Sequence, residues 1–120
     1  IYYYHNYDNL NNYTLLDEIL LEGLAENFRE QFFNPETATW AGALKKDEAF
    51  QILRSLDKDT LKSRDQKIIR GFLFGNDKYK KWTGYSTGYW LAKEFMNTNK
   101  NLSWDDLMKT KPEEFMRAIK

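Results

Sequence analysis

Apolar residues along this chain recur at three- and four-residue steps rather than at alternate positions, the spacing of helices buried along one face. The clearest run starts at Thr14, where Leu15, Ile19, Leu20, Leu24, Phe28 and Phe32 are separated by Asp17, Glu18, Glu26, Arg29 and Glu30. Thr14, or Asn12 just before it, can cap this helix, and Asp17 and Glu18 suit its electropositive first turn. Pro35 disfavours helical backbone at the residue before it, so the helix is expected to end near Phe33. Asn34 to Ala43 reads as a loop carrying Trp40. A second helix fits Asp47 to Leu56, burying Phe50, Leu53 and Leu56. A third, capped by Asp57 or Asp59, is expected to bury Leu61, Ile68, Ile69, Phe72 and Leu73 and to break at Gly75-Asn76-Asp77. A fourth fits Tyr85 to Met96, with Tyr89, Leu91, Ala92 and Phe95 apolar. Ser103, with Asp106 three residues on, opens a short helix through a capping box. Pro112 at a first helical position starts the last one, through Glu113, Phe115, Met116 and Ile119. Tyr2 to Tyr4 reads as an extended stub or the tail of a helix. No segment alternates cleanly, so the fold class is mainly α.

Length and composition narrow this further. At 120 residues, with 42% hydrophobic and 17% aromatic residues, the chain suits one folded domain spanning 1–120 and is too apolar for disorder. Its 18 Lys and Arg balance 18 Asp and Glu, which argues against a dedicated nucleic-acid binder, since phosphate contacts call for surplus cations. For the same reason the aromatic opening (Tyr2, Tyr3, Tyr4, Tyr7, Tyr13) reads as a packed face rather than a base-stacking platform. Without cysteine there is neither a thiolate nucleophile nor a thiolate zinc site. No apolar run is long enough for a membrane span. The chain opens at Ile1 rather than Met, which reads as a fragment, a processed product or an expressed piece of something longer. Its compartment, cytoplasmic or lipoprotein-anchored, then depends on what precedes Ile1.

Two clusters carry candidate chemistry. In Leu21-Glu22-Gly23-Leu24-Ala25-Glu26, Glu22 interrupts an apolar stretch, and helical geometry sets it beside Ile19 and Glu26. Gly23 costs roughly 1 kcal/mol against Ala inside a helix, and there it permits close approach of another backbone or of a ligand. Glu22 and Glu26 could be a metal ligand and the carboxylate that orients a neighbouring ligand. A solvated acidic edge with an incidental glycine explains the same pattern about equally well. In Trp82-Thr83-Gly84-Tyr85-Ser86-Thr87-Gly88-Tyr89-Trp90, the four-residue step puts Tyr85 and Tyr89 on one face beside Gly84 and Gly88. Their hydroxyls could donate to a developing oxyanion, although an aromatic core helix with its hydroxyls at the rim is the commoner use of such a pattern. His5, the single histidine, reads first as a solvated side chain near a terminus.

Taken together, Thr14-Leu15-Leu16-Asp17, Glu22-Gly23-Leu24-Ala25-Glu26-Asn27-Phe28, Leu73-Phe74-Gly75 and Trp82-x-Gly84-Tyr85-x-x-Gly88-Tyr89 resemble a bacterial family of predicted zinc-dependent proteases, known mainly as a domain of unknown function. One branch of that family is described as a heat-shock chaperone partner. The resemblance covers about the whole chain and the C-terminal part of the family's domain. It implies a gluzincin-like zinc peptidase, of which this chain is the C-terminal helical part, acting on peptide or protein substrates. By that likeness Glu22 is the third zinc ligand. Glu26 orients an upstream histidine, and Tyr85 or Tyr89 donates to the oxyanion. The family's His-Glu-x-His-His segment, a form of the His-Glu-x-x-His zinc signature, does not occur in this sequence. Either it lies upstream of Ile1, or Ile1 to His5 is a degenerate copy that keeps only His5 as a metal ligand; the opening without Met favours the first. On either reading this chain alone lacks a full three-ligand site. The alternative from another class is a metal-free helical module that binds protein, a chaperone among the candidates, through its aromatic surface.

Overall fold

A computed structural model describes residues 13–120, and among these the chain is mainly α-helical: α1 (Leu15–Phe32), α2 (Lys46–Ser55), α3 (Lys58–Leu61), α4 (Gln66–Phe74), α5 (Thr83–Thr98), α6 (Trp104–Lys109) and α7 (Pro112–Arg117). None of these helices is long and apolar enough to cross a membrane. His5 and Tyr2 to Tyr4, with their expected roles, lie outside the described residues.

The starts of the helices follow their side chains. Thr14 caps α1 through a reciprocal pair: its hydroxyl accepts the Asp17 N–H at 3.1 Å, and its own N–H donates to the Asp17 carboxylate at 2.9 Å. The same box joins Ser103 and Asp106 at α6, and Pro112 takes the first turn of α7. α5 starts differently, since Trp82 before it has φ 66°, left-handed backbone that is strained for a bulky residue. Lys80 steadies that turn, its carbonyl accepting from both the N–H and the hydroxyl of Thr83.

The expected third helix is in fact two. Asp57 caps α3, and a second cap, Asp65, starts α4 by accepting the Lys67 N–H at 2.9 Å. Between them the Ser63 carbonyl accepts the Leu15 N–H at 2.9 Å, tying the break to the start of α1. The new register turns Ile68 outward at 42% exposure and leaves Leu61 half-buried, while Ile69, Phe72 and Leu73 enter the core as expected. A second correction concerns the end of α1. Phe28 and Phe32 continue the heptad-like spacing but are 41% and 53% exposed, because they stand at the rim of the fold, where the Trp104 ring of α6 meets them at 5.1 Å and 6.2 Å without enclosing them.

The core is built around α1 and α5, with Leu15, Ile19, Leu20, Leu24, Leu91, Ala92 and Phe95 meeting Leu53, Phe72 and Phe115 from the surrounding helices. The two central helices touch backbone to backbone. A Cβ on Gly23 would lie 2.0 Å from the Gly88 carbonyl oxygen, and one on Gly88 would lie 2.1 Å from that of Ile19. Asn27, buried at this crossing, donates its amide to the Gly23 carbonyl at 2.8 Å and across to the Tyr89 carbonyl at 3.1 Å.

The crossing yields a direct test. Gly23→Ala or Gly88→Ala should destabilise the fold by about 3 kcal/mol or more, because backbone must move to admit the methyl. The gain of about 1 kcal/mol in helix propensity is too small to offset this. Gly42→Ala, whose Cβ would meet nothing closer than 3.5 Å, should be near neutral. Urea titration of the three variants checks this, and a stable Gly23→Ala protein would disprove the backbone contact.

Candidate functional site

The α1–α5 crossing decides what can stand beside it. Gly23 faces α5, so the neighbouring Glu22 is carried to the edge of the crossing, where it is half-buried. On the other helix Tyr85 lies one turn before Tyr89, half-buried, its ring 5.8 Å from that of Phe74. Glu22, Glu18 and Glu26 are close enough to Tyr85 that their charges, after burial, raise its pKa above the ordinary phenol value. Glu22 and Tyr85 therefore share one edge. Tyr85 keeps its proton throughout the neutral range and is available there as a hydrogen-bond donor.

Glu22 is itself perturbed. Burial first, and then the charges of Glu18 and Glu26, lift its pKa above the ordinary carboxylate range. Among the described residues no hydrogen bond or ion pair compensates it. The cation nearest in sequence, Arg29, is committed elsewhere, its Nε donating to Glu26 at 3.1 Å.

Glu26, by comparison, is hydrogen-bonded through both oxygens. Its second oxygen accepts the indole N–H of Trp40 at 2.7 Å, so the carboxylate is gripped from α1 and from the following loop at once. That loop is anchored along α5 as well. The Ser86 hydroxyl donates to the Ala41 carbonyl at 2.6 Å and accepts the Leu44 N–H at 3.0 Å, while Trp90 donates to the Leu44 carbonyl at 3.0 Å. Trp40 and Ser86 thus hold the site's periphery, a role with no periodic signal in the sequence. The cue present was a polar Ser86 at a position that the helix buries.

Tyr89 has a different setting from Tyr85. It is 2% exposed, its hydroxyl lies 3.4 Å from that of Thr37, and Lys93 sits over its ring at 5.1 Å. The structure thus brings Glu22, Glu26 and Tyr85 to one edge and turns the Tyr89 hydroxyl toward the loop. Among the described residues no group of three His, Cys, Asp or Glu side chains could hold a metal ion, so Glu22 stands there as a single candidate ligand.

Residues 1–117 match the model of a family described as "Predicted Zn-dependent protease (DUF2268)". Among curated proteins, the uncharacterized protein YjaZ of Bacillus subtilis (strain 168) is 32% identical over 97 residues, which cover 78% of this chain. Those residues span 37% of the relative's length. No solved structure matches the chain.

The raised pKa of Glu22 sets a pH test on the metal-free chain. A carboxyl that is harder to ionise when folded favours the native state at low pH, and that contribution is lost as pH rises from the ordinary carboxylate value through the folded one. Glu22→Gln should therefore stabilise the metal-free protein at pH 7, with the difference from the parent shrinking toward pH 4. Thermal melts across that range check it. An equal effect at both ends would show that Glu22 carries no ionisation penalty.

Proposed function

This chain belongs to the family of predicted Zn-dependent proteases, and from that premise we propose that it is the helical part of a gluzincin-like zinc peptidase, with Glu22 as a metal ligand and Tyr85 as a donor to the substrate carbonyl. The observation that carries this reading is the Glu22 carboxylate, half-buried, raised in pKa and uncompensated among the described residues. A carboxylate in that state lacks a cation, and oxygen ligands of this kind suit zinc. Catalytic zinc sites use about three protein ligands, so the others are supplied from outside residues 13–120, by His5 or by a His-Glu-x-x-His segment beyond this chain. When bound, the metal supplies Lewis acidity and an activated water for peptide hydrolysis.

The chain's own residues would then divide the work. The Tyr85 phenol donates a hydrogen bond where negative charge develops on the peptide carbonyl oxygen, and burial beside three carboxylates keeps it protonated for that purpose. Glu26, held by Arg29 and Trp40, retains carboxylate lone pairs to accept an imidazole N–H and so set the tautomer of a histidine ligand. The engagement of Tyr89 with Thr37 favours a packing role for it.

Metal analysis and kinetics on the full-length protein test this. The parent should carry about one zinc per chain, with three ligands required; Glu22→Gln should lose it, and Glu48→Gln, on α2, should keep it. Tyr85→Phe should keep zinc and lower turnover by about a hundredfold, the scale of one oxyanion donor, whereas Tyr89→Phe should change it little. Retention of stoichiometric zinc by Glu22→Gln would remove Glu22 from the ligand set.

A further inference from the structure

α4 ends at Leu73-Phe74-Gly75, and the residues on either side of Phe74 are tightly held. Leu73 is buried against the start of α5, where a Cβ on Gly84 would lie 2.5 Å from its side chain and 2.8 Å from its Cα. Gly75 takes φ 106°, and a Cβ there would lie 2.8 Å from the Cα of Lys81, so the segment leading into α5 folds back onto the helix end. Asn76 braces that turn, its side-chain oxygen accepting the N–H groups of Lys78 at 2.8 Å and Tyr79 at 2.9 Å. Between these fixed neighbours Phe74 is 53% exposed, and its ring meets that of Tyr85 at 5.8 Å, inclined by 52°. Folding of these residues leaves the ring largely in water, yet its backbone is pinned on both sides and its place is set against Tyr85.

We propose that Phe74 is a specificity-determining residue of the Glu22–Tyr85 site, receiving a large apolar side chain next to the scissile bond of a peptide. This rests on the zinc-peptidase reading, in which the Tyr85 phenol donates to the carbonyl of that bond. Three observations select the occupant. Phe74 touches Tyr85 itself. Consecutive Cα atoms of a peptide are about 3.8 Å apart, so a residue flanking a carbonyl held at Tyr85 is within reach of the Phe74 ring. That ring offers carbon alone, with neither donor nor acceptor, and covering it removes apolar surface from water. Because its backbone is already fixed by Leu73 and Gly75, little ordering remains to oppose the contact. A glycine at the same place in the peptide gains none of this.

Kinetics on the full-length protein read the contact as a coupling between enzyme and substrate side chains. Two pairs of peptides differ only in Leu or Gly, on one side or the other of the cleaved bond. The wild-type kcat/KM should favour Leu by at least about tenfold at one of these positions, the scale of apolar discrimination. Phe74→Ala should bring that preference close to one, so that the enzyme and substrate changes do not add, and Phe74→Leu should restore most of it. Both variants should keep their zinc and their melting temperature, since the ring is exposed. No Leu preference at either position, or one that survives Phe74→Ala, would overturn the proposal. So would loss of zinc or of the fold in both variants, which would put Phe74 beneath another part of the full-length chain. Binding separates this from the peptidase reading. In the full-length Glu22→Gln protein with ring-labelled phenylalanine, the resonance that Phe74→Ala removes should shift with the Leu peptide and not with the Gly peptide. That shift without any cleavage by the wild-type protein would sink the peptidase and keep Phe74 as an apolar contact. Cleavage indifferent to Leu would sink the role of Phe74 and keep the peptidase, and neither shift nor cleavage would sink both.

Discussion

The contact of the α1 and α5 backbones at Gly23 and Gly88 is the constraint from which the rest of the arrangement follows. Helices ordinarily pack about 8–10 Å apart because side chains hold them there. Here a carbonyl occupies the space of each missing side chain. The close approach leaves Asn27 able to reach the carbonyl of the other helix and satisfy it. It also leaves no room for Glu22 inside the crossing, so the carboxylate stands at its margin, half out of water. The surrounding helices bury apolar side chains against this pair, and the loop after α1 is hydrogen-bonded to both members.

Much of this was legible in the chain. The spacing from Leu15 onward, the Thr14 cap, the Ser103 box, Pro112 and Gly75 each marked an element boundary by local chemistry, and those boundaries hold within a residue or two. What periodicity misread was non-local. Leu61 and Ile68 fit one helical stripe on paper, but Ser63 is called away to accept the Leu15 N–H, and Asp65 then restarts the helix in a new register. Phe28 and Phe32 satisfy the core pattern of α1 just as Ile19 and Leu24 do, and what distinguishes them is a place at the rim, against the Trp104 ring of α6 rather than inside the core.

The candidate site divides along the same line. Glu22 could be singled out because a carboxylate next to a costly glycine in an apolar run is a local anomaly. The distinction between Tyr85 and Tyr89 was invisible, since they share a face and a motif. It arises from Thr37, more than fifty residues before Tyr89 in the chain and brought to its hydroxyl by the loop. Likewise Trp40 gave no sign that its indole would hold Glu26, because loops carry no period that would point a side chain at a distant helix.

The glycine crossing also determines how this protein can vary. In most packed cores an enlarged residue can be accommodated by shrinking its neighbour, so a damaging substitution has a second-site suppressor within reach. At Gly23 and Gly88 that route is closed: the intruding methyl would meet main-chain carbonyl and Cα atoms, which no substitution can make smaller. Relief would require the helices themselves to separate, and with them Glu22 and Tyr85. Sequence drift at this pair is therefore coupled to the loss of the edge it supports, and the two positions should resist rescue even where the rest of the core accepts extensive repacking.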